Sequence, residues 1–206
     1  MKKAMWLMIA GIGCVCAGCG IENETSSETV QIDIEEANAA YKDVIGQYLD
    51  EGYTNIGVSF IKIDDDDRYE MAIILGEAES DGAYLYTCEE DVAIQLKTDT
   101  EECFGRNGGF AYYPQKNIFE SEYELMGMDG MTYHLRYFSM EDGDIVEKDE
   151  LEIQSTFDSD DKTYYVNGAE VVEAEYNAIQ EKYSACGERE ILQYQNCMHI
   201  NNKIEE

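Results

Sequence analysis

Apolar residues alternate with polar ones along much of the stretch from 55 to 166, and a period of two marks a strand with one buried face. The pattern predicts strands over Ile56–Ile63, Tyr69–Leu75, Ala83–Cys88, Val92–Lys97, Phe110–Tyr113, Tyr123–Met126, Met131–Met140 and Leu151–Phe157. Asp81-Gly82, Asn107-Gly108-Gly109, Asp129-Gly130, Asp142-Gly143 and Asn167-Gly168 punctuate them. Asn-Gly and Asp-Gly tolerate the positive φ that tight hairpin turns need. Strands joined by such short turns predict an antiparallel meander, and no fixed internal period points to a repeat.

On either side the spacing becomes helical. Ala37, Tyr41, Val44, Ile45 and Tyr48 share one face of a helix over residues 34–51, with Asp33 and Glu36 placed as a capping box and Gly52 as the stop. Downstream, Val172 precedes Glu173, Tyr176, Ile179 and Tyr183, a helix of about three turns that ends near Gly187. Ile191-Leu192-Gln193-Tyr194 reads as a last strand or a short helix. The expected fold class is therefore α+β: an antiparallel meander flanked by an N-terminal and a C-terminal helix, forming one domain over residues 31–206.

The first residues are patterned differently. Met1-Lys2-Lys3 precedes an apolar run from Ala4 to Val15, followed by Cys16-Ala17-Gly18-Cys19. A positive start, a short apolar stretch and a small-residue site are the layout of a secretory signal. The run is well short of the roughly 20 residues of a membrane-spanning helix. Small residues ending directly on a cysteine resemble the lipobox of bacterial lipoproteins, which implies cleavage of residues 1–18 and lipidation of Cys19. Cys16 stands where leucine is usual, and Cys14 is a rival site. The alternatives are a non-lipidated signal or an uncut anchor. Gly20–Val30 is small, polar and acidic, and reads as a tether. The expected location is the outer face of a cell membrane, with the lipid as the contact to it.

Charge narrows the partners. The chain holds 14 basic and 45 acidic residues, a formal net charge of −31. Nucleic acid is excluded as an expected partner, because phosphate binding needs clustered Lys and Arg. Cationic peptides, proteins, glycans and divalent cations remain. High charge can mean disorder, but 16 tyrosines and six phenylalanines supply a core. Cys88, Cys103, Cys186 and Cys197 follow the tether, and four cysteines in an exported domain suggest two disulfides, of which Cys88–Cys103 and Cys186–Cys197 are the nearest in sequence.

The sharpest local feature is Asp64-Asp65-Asp66-Asp67 with Glu70, set between two apolar strands. Carboxylates at alternate positions suit calcium, which takes six to eight oxygens; Asp64, Asp66 and Glu70 are the expected ligands, against a solvated acidic turn. The stretch Ile61–Met71 resembles the D-x-D-x-D-G-x-P-E-L strand–loop–strand of small surface lipoproteins of gut-type Firmicutes. Tyr112-Tyr113-Pro114-Gln115-Lys116-Asn117-Ile118 is similar to a turn of the same family, and Tyr164–Val171 with Glu175-Tyr176 resembles its junction into a helix. The resemblance covers residues 38 to 185 and implies architecture and surface location, not an activity. Lys62, Asp67 and Tyr69 depart from the pattern.

Neither a zinc-protease His-Glu-x-x-His nor a Gly-x-Ser-x-Gly elbow is present. His134 and His199 read as structural or exposed. Tyr112-Tyr113 and Tyr133/Tyr137 read as half-buried strand faces or as a stacking platform. The expected function is non-catalytic binding or a structural role at the cell envelope. The alternative is an extracellular hydrolase, which requires a cleft holding a carboxylate pair with separated pKa values.

Overall fold

The alternating segments divide into two antiparallel sheets rather than closing into one meander. The structure, a computed structural model, describes residues 39–78, 81–98, 104–105, 108–159 and 161–201. The signal segment, Cys19, the tether and the expected capping box lie outside these residues, as does Cys103.

Helix α1 (Ala39–Asp50) leads into β1 (Asn55–Ile61), β2 (Glu70–Ile74), β3 (Ala83–Glu89) and β4 (Val92–Leu96). Then come β5 (Gly109–Tyr113), β6 (Ile118–Met126), β7 (Gly130–Glu141), β8 (Asp144–Thr156), β9 (Lys162–Val166) and β10 (Ala169–Val171). Helix α2 (Glu173–Ser184) precedes β11 (Glu190–Gln193), a single 3-10 turn (Tyr194–Asn196) and β12 (Met198–Asn201). One sheet has the order β12-β1-β2-β3-β4 and the other β10-β9-β8-β7-β6-β5-β11. The last two strands thus part company, β11 extending the larger sheet and β12 the smaller.

Three apolar clusters set the layers. Tyr41, Val44 and Ile45 of α1 pack on Val58, Met71 and Ile73. The opposite face of the same strands, carrying Ile61, Ala72 and Ile74, packs on Phe110, Phe119 and Phe138 of the larger sheet. Beyond that sheet, Tyr176 and Tyr183 of α2 cover Leu135, Tyr137 and Leu151. The order is therefore helix, small sheet, large sheet, helix. It explains why β2 is buried at every position: it has protein on both faces, so after Glu70 its sequence, Met71–Ile74, is a continuous apolar run rather than an alternation.

Two of the five expected turns take the geometry the dipeptides favour. Asp142-Gly143 and Asn167-Gly168 both take positive φ at the two turn positions, the twist-compatible hairpin geometry. β6 and β8 are longer than expected, starting at Ile118 and Asp144 instead of Tyr123 and Leu151. The added residues carry Glu120, Glu122, Glu147, Lys148, Asp149 and Glu150, whose charges hide the strand signal. A register shift after Tyr137, which faces Asp149 while Phe138 faces Glu147, bulges β8. Asp149, placed there, accepts hydrogen bonds from Lys182 Nζ at 2.9 Å and Tyr183 Oη at 2.6 Å. These contacts fasten α2 to the large sheet.

The expected Cys186–Cys197 disulfide is not formed: both are free thiols. Cys197 belongs to the cluster between the sheets, whereas Cys186 follows α2 on the outer side of the large sheet. A disulfide needs Cα atoms within about 7 Å, and the sheet separates these two. Each thiol donates instead to the carbonyl four residues back, Lys182 or Gln193, at 3.4 Å. Burial pushes the Cys197 thiol up to about 12, so it is inert as a nucleophile at neutral pH. Proximity in sequence is the wrong guide here, because β11 and β12 join different sheets.

Candidate functional site

Two places gather polar side chains. The first is the β1–β2 hairpin. Side chains alternate along the acidic run, so Asp65 and Asp67 are exposed while Asp64 and Asp66 turn inward toward the buried Glu70. Carboxylate oxygens of Asp64, Asp66 and Glu70 lie within 4.8 Å of one another. Three oxygens around one calcium at the usual 2.3–2.6 Å would be spaced similarly. These are the three residues expected as ligands from the spacing of the acidic run.

The hairpin also carries its own cations. Asp66 Oδ2 accepts from Arg68 Nε at 2.6 Å, and Lys62 Nζ donates to the Asp66 carbonyl at 3.3 Å. Asp64 Oδ1 accepts from the Asp66 N–H, and Glu70 Oε2 from the Ile63 N–H, both at 3.1 Å. Burial is the largest influence on Glu70, which is 1% exposed, and pushes its carboxyl up to about 7; Asp64 and Asp66 push the same way and the Ile63 N–H opposes. Burial likewise raises Asp64. On Asp66 burial is outweighed by the hydrogen bonds and charge of Arg68, which hold it below the usual carboxylate range. The arrangement is a partly compensated carboxylate cluster whose oxygen donors fit a hard divalent cation.

The second place is a cleft of about 440 Å³ between α2 and the outer face of the large sheet. Pairing of Glu120 with Tyr137, Glu122 with Leu135 and Glu124 with Tyr133 puts all the even-numbered β6 positions and odd-numbered β7 positions on that face. Glu120, Glu122, Tyr133, Leu135 and Tyr137 form the floor; Tyr113 of β5 and Arg189 form one side, and Asn177, Gln180, Glu181 and Ser184 of α2 the other. Arg189 pairs through Nε with Glu120 Oε1 and through its Nη2 with Glu122 Oε1 at 3.5 Å. Tyr113 Oη donates to Glu120 Oε2 at 3.4 Å and Tyr133 Oη to Glu122 Oε2 at 2.7 Å.

Glu120 is 3% exposed. Burial raises its carboxyl, and the Arg189 guanidinium opposes that rise. Burial also raises the phenols of Tyr133 and Tyr137 and pushes Tyr113 up to about 12. All three are neutral hydrogen-bonding groups at physiological pH. A hydrolase acting through a carboxylate pair needs the two pKa values held apart, whereas here a single guanidinium bridges Glu120 and Glu122.

The tyrosines expected as half-buried strand faces do stand on strands, but Tyr112, Tyr113 and Tyr137 are buried and Tyr133 alone is half-buried. Tyr112 packs between the sheets and Tyr113 faces the cleft. Tyr137 stacks on Tyr183 of α2 with ring centroids 3.7 Å apart. His134 lies on the opposite sheet face, stacked on Tyr123 and 3.4 Å from Glu150, and His199 packs edge-on against Tyr194. Neither histidine reaches the cleft. Glu120, Glu122 and Arg189 are not among the residues the sequence singles out, although two glutamates at a spacing of two inside a phenylalanine-bearing strand are a local signal. No described helix is long and apolar enough to cross a membrane. Compared with known families, curated proteins and solved structures, the chain matches no family model, no curated protein and no solved structure.

Proposed function

We propose that this chain is an exported, lipid-anchored protein of the bacterial surface that binds a small polar ligand and catalyses no reaction of its own. The observation that carries the binding role is the cleft over β6 and β7, where Arg189, two carboxylates and three tyrosines converge beside α2. Clefts of about 300–1,000 Å³ with a few convergent polar groups are the usual form of a ligand seat. Anchoring rests on the lipobox-like Cys16-Ala17-Gly18-Cys19 and on the resemblance to surface lipoproteins.

Two measurements test this reading. The full-length chain expressed in a bacterium should partition with membranes and incorporate labelled palmitate, and Cys19→Ser should abolish both; retained label would move the lipid elsewhere. An array of glycans, peptides and amines should yield a ligand whose binding Leu135→Arg eliminates by filling the cleft. Turnover of a glycan or peptide that Glu120→Gln abolishes would instead make the protein a hydrolase.

A second reading concerns the hairpin. The convergence of Asp64, Asp66 and Glu70 within 4.8 Å favours a calcium ion there that stiffens the small sheet. Calcium at 100 times its dissociation constant should stabilise the fold by about 2.7 kcal/mol. For a domain of this size that is roughly a 5–10 °C rise in melting temperature relative to EDTA. Asp64→Ala should remove the rise. An identical melt in calcium and EDTA would leave Asp64–Asp67 as a solvated turn.

A further inference from the structure

Resting on the reading that the cleft is the ligand seat, we propose that its ligand is a small organic cation bearing a primary ammonium group on a short aliphatic stem.

The lining has a definite polarity. Glu120, Glu122 and Glu181 face one guanidinium, that of Arg189, and that guanidinium is already bridged between Glu120 and Glu122. An anionic ligand would have to displace a carboxylate to reach it. Some of the donors are likewise engaged, while the side-chain amides of Asn177 and Gln180 bring donors as well as acceptors to the helix side. The Tyr113 and Tyr133 hydroxyls point their hydrogens at the two glutamates, and Ser184 Oγ donates to the Gln180 carbonyl at 2.9 Å. What these groups still offer is lone pairs. Glu181 has no ion-pair partner among the described residues and sits exposed on the helix side of the cleft. An ammonium group brings three donors and no acceptor, which is the complement of this surface. A neutral sugar carries no charge to answer the excess of carboxylates over the one guanidinium.

The floor supports the rest of such a ligand. Leu135, 5% exposed between Tyr133 and Tyr137 on β7, makes only the deep base of the cleft apolar, over which a methylene stem can lie while its charged head reaches the carboxylates. The half-buried Tyr133 ring adds attraction for a cation close to its face, whereas the Tyr137 ring is already stacked on Tyr183. Over longer range, the net charge of −31 concentrates cations near the surface and speeds encounter.

The probe is spermidine, titrated calorimetrically into the full-length protein at about physiological ionic strength, where bare surface charge is screened beyond roughly 8 Å. Saturable binding to one site is expected. Glu122→Gln and Glu181→Gln should each weaken it by about tenfold, the value of one charge-assisted hydrogen bond. Both residues are solvent-facing, and unchanged melting will show that the variants remain folded. Asp158→Asn removes an equal charge from the exposed β8–β9 turn and should change affinity by less than about twofold. No saturable binding, or equal weakening by Asp158→Asn and the cleft variants, overturns the proposal. Chitotriose serves as the neutral comparison. If it binds and loses affinity in the cleft variants while spermidine does not bind, the cleft is the seat but the ammonium class is wrong. Failure of both probes, together with an empty ligand array, overturns the binding reading itself.

Discussion

Replacing Phe104 with alanine is expected to lower stability by about 3–5 kcal/mol, the range for truncating a buried aromatic residue. Phe104 is 2% exposed and joins the two sheets. Its backbone pairs with Ala83 of β3 through two hydrogen bonds of 2.6 and 2.7 Å. Its ring inserts edge-on among Phe110, Phe119 and Phe138 of the larger sheet, at centroid distances of 5.3, 5.3 and 4.7 Å. Those three rings stand on β5, β6 and β7, which are held by their ladders and cannot close on the vacated space. Alanine keeps the backbone bridge, so the loss isolates the side chain. Denaturant unfolding should show a lower midpoint with an unchanged slope. Against a typical total of about 5–15 kcal/mol, such a loss would leave the protein marginal. A loss under about 1 kcal/mol would mean that the sheets are joined elsewhere.

Stability should fall by roughly 3 kcal/mol between about pH 4 and pH 8 through Glu70 alone. Its carboxyl is pushed up to about 7 in the folded chain, while in the unfolded chain it titrates near about 4.3. Between those values the folded state holds a proton that the unfolded state has released. Stability therefore declines as pH rises through this window and is flat above it. The difference of roughly two to three pH units corresponds to roughly 3 kcal/mol at about 1.36 kcal/mol per unit. Glu70→Gln cannot ionise, yet keeps an oxygen to accept the Ile63 N–H. It should match the native protein near about pH 4 and exceed its stability by about that amount at pH 8. The difference between the two chains isolates Glu70 from the other carboxylates, including Asp64 and Asp66 beside it. Calcium bound at Asp64, Asp66 and Glu70 would flatten the native curve at high pH. Parallel curves for both chains would show that Glu70 ionises freely in the fold.

The two candidate sites differ in how far they can be read from the chain. Asp64, Asp66 and Glu70 are legible in the sequence because they crowd into one short stretch between two strands. The bend between β1 and β2, closed by hydrogen bonds from the Asp66 N–H to Asp64 and from the Arg68 N–H to Asp66, suffices to bring them together. The cleft is illegible for the opposite reason. Glu120 sits on β6, Arg189 beyond α2 and Tyr113 on β5, and nothing local ties an arginine after a helix to a glutamate on a strand far upstream. The disulfide expectation fails on the same ground: adjacency of Cys186 and Cys197 in sequence carries no information about the sheet that stands between them.

By itself the sequence determined many of the element types, though it carried no strand expectation for β9, β10 or β12 and left β11 open between strand and helix. Period-two stretches became strands, period-3.6 stretches became α1 and α2, and Asp142-Gly143 and Asn167-Gly168 became tight turns, because these are local consequences of side-chain direction and backbone sterics. It also determined the acidic hairpin and the strongly negative surface. Only the tertiary structure decided that the strands split into two sheets, that β11 and β12 return to different ones, and that α2 closes over Glu120 and Glu122 to make a cleft. Those outcomes turn on which of several apolar faces bury one another, an energy that depends on contacts between distant residues and leaves no periodic trace along the chain.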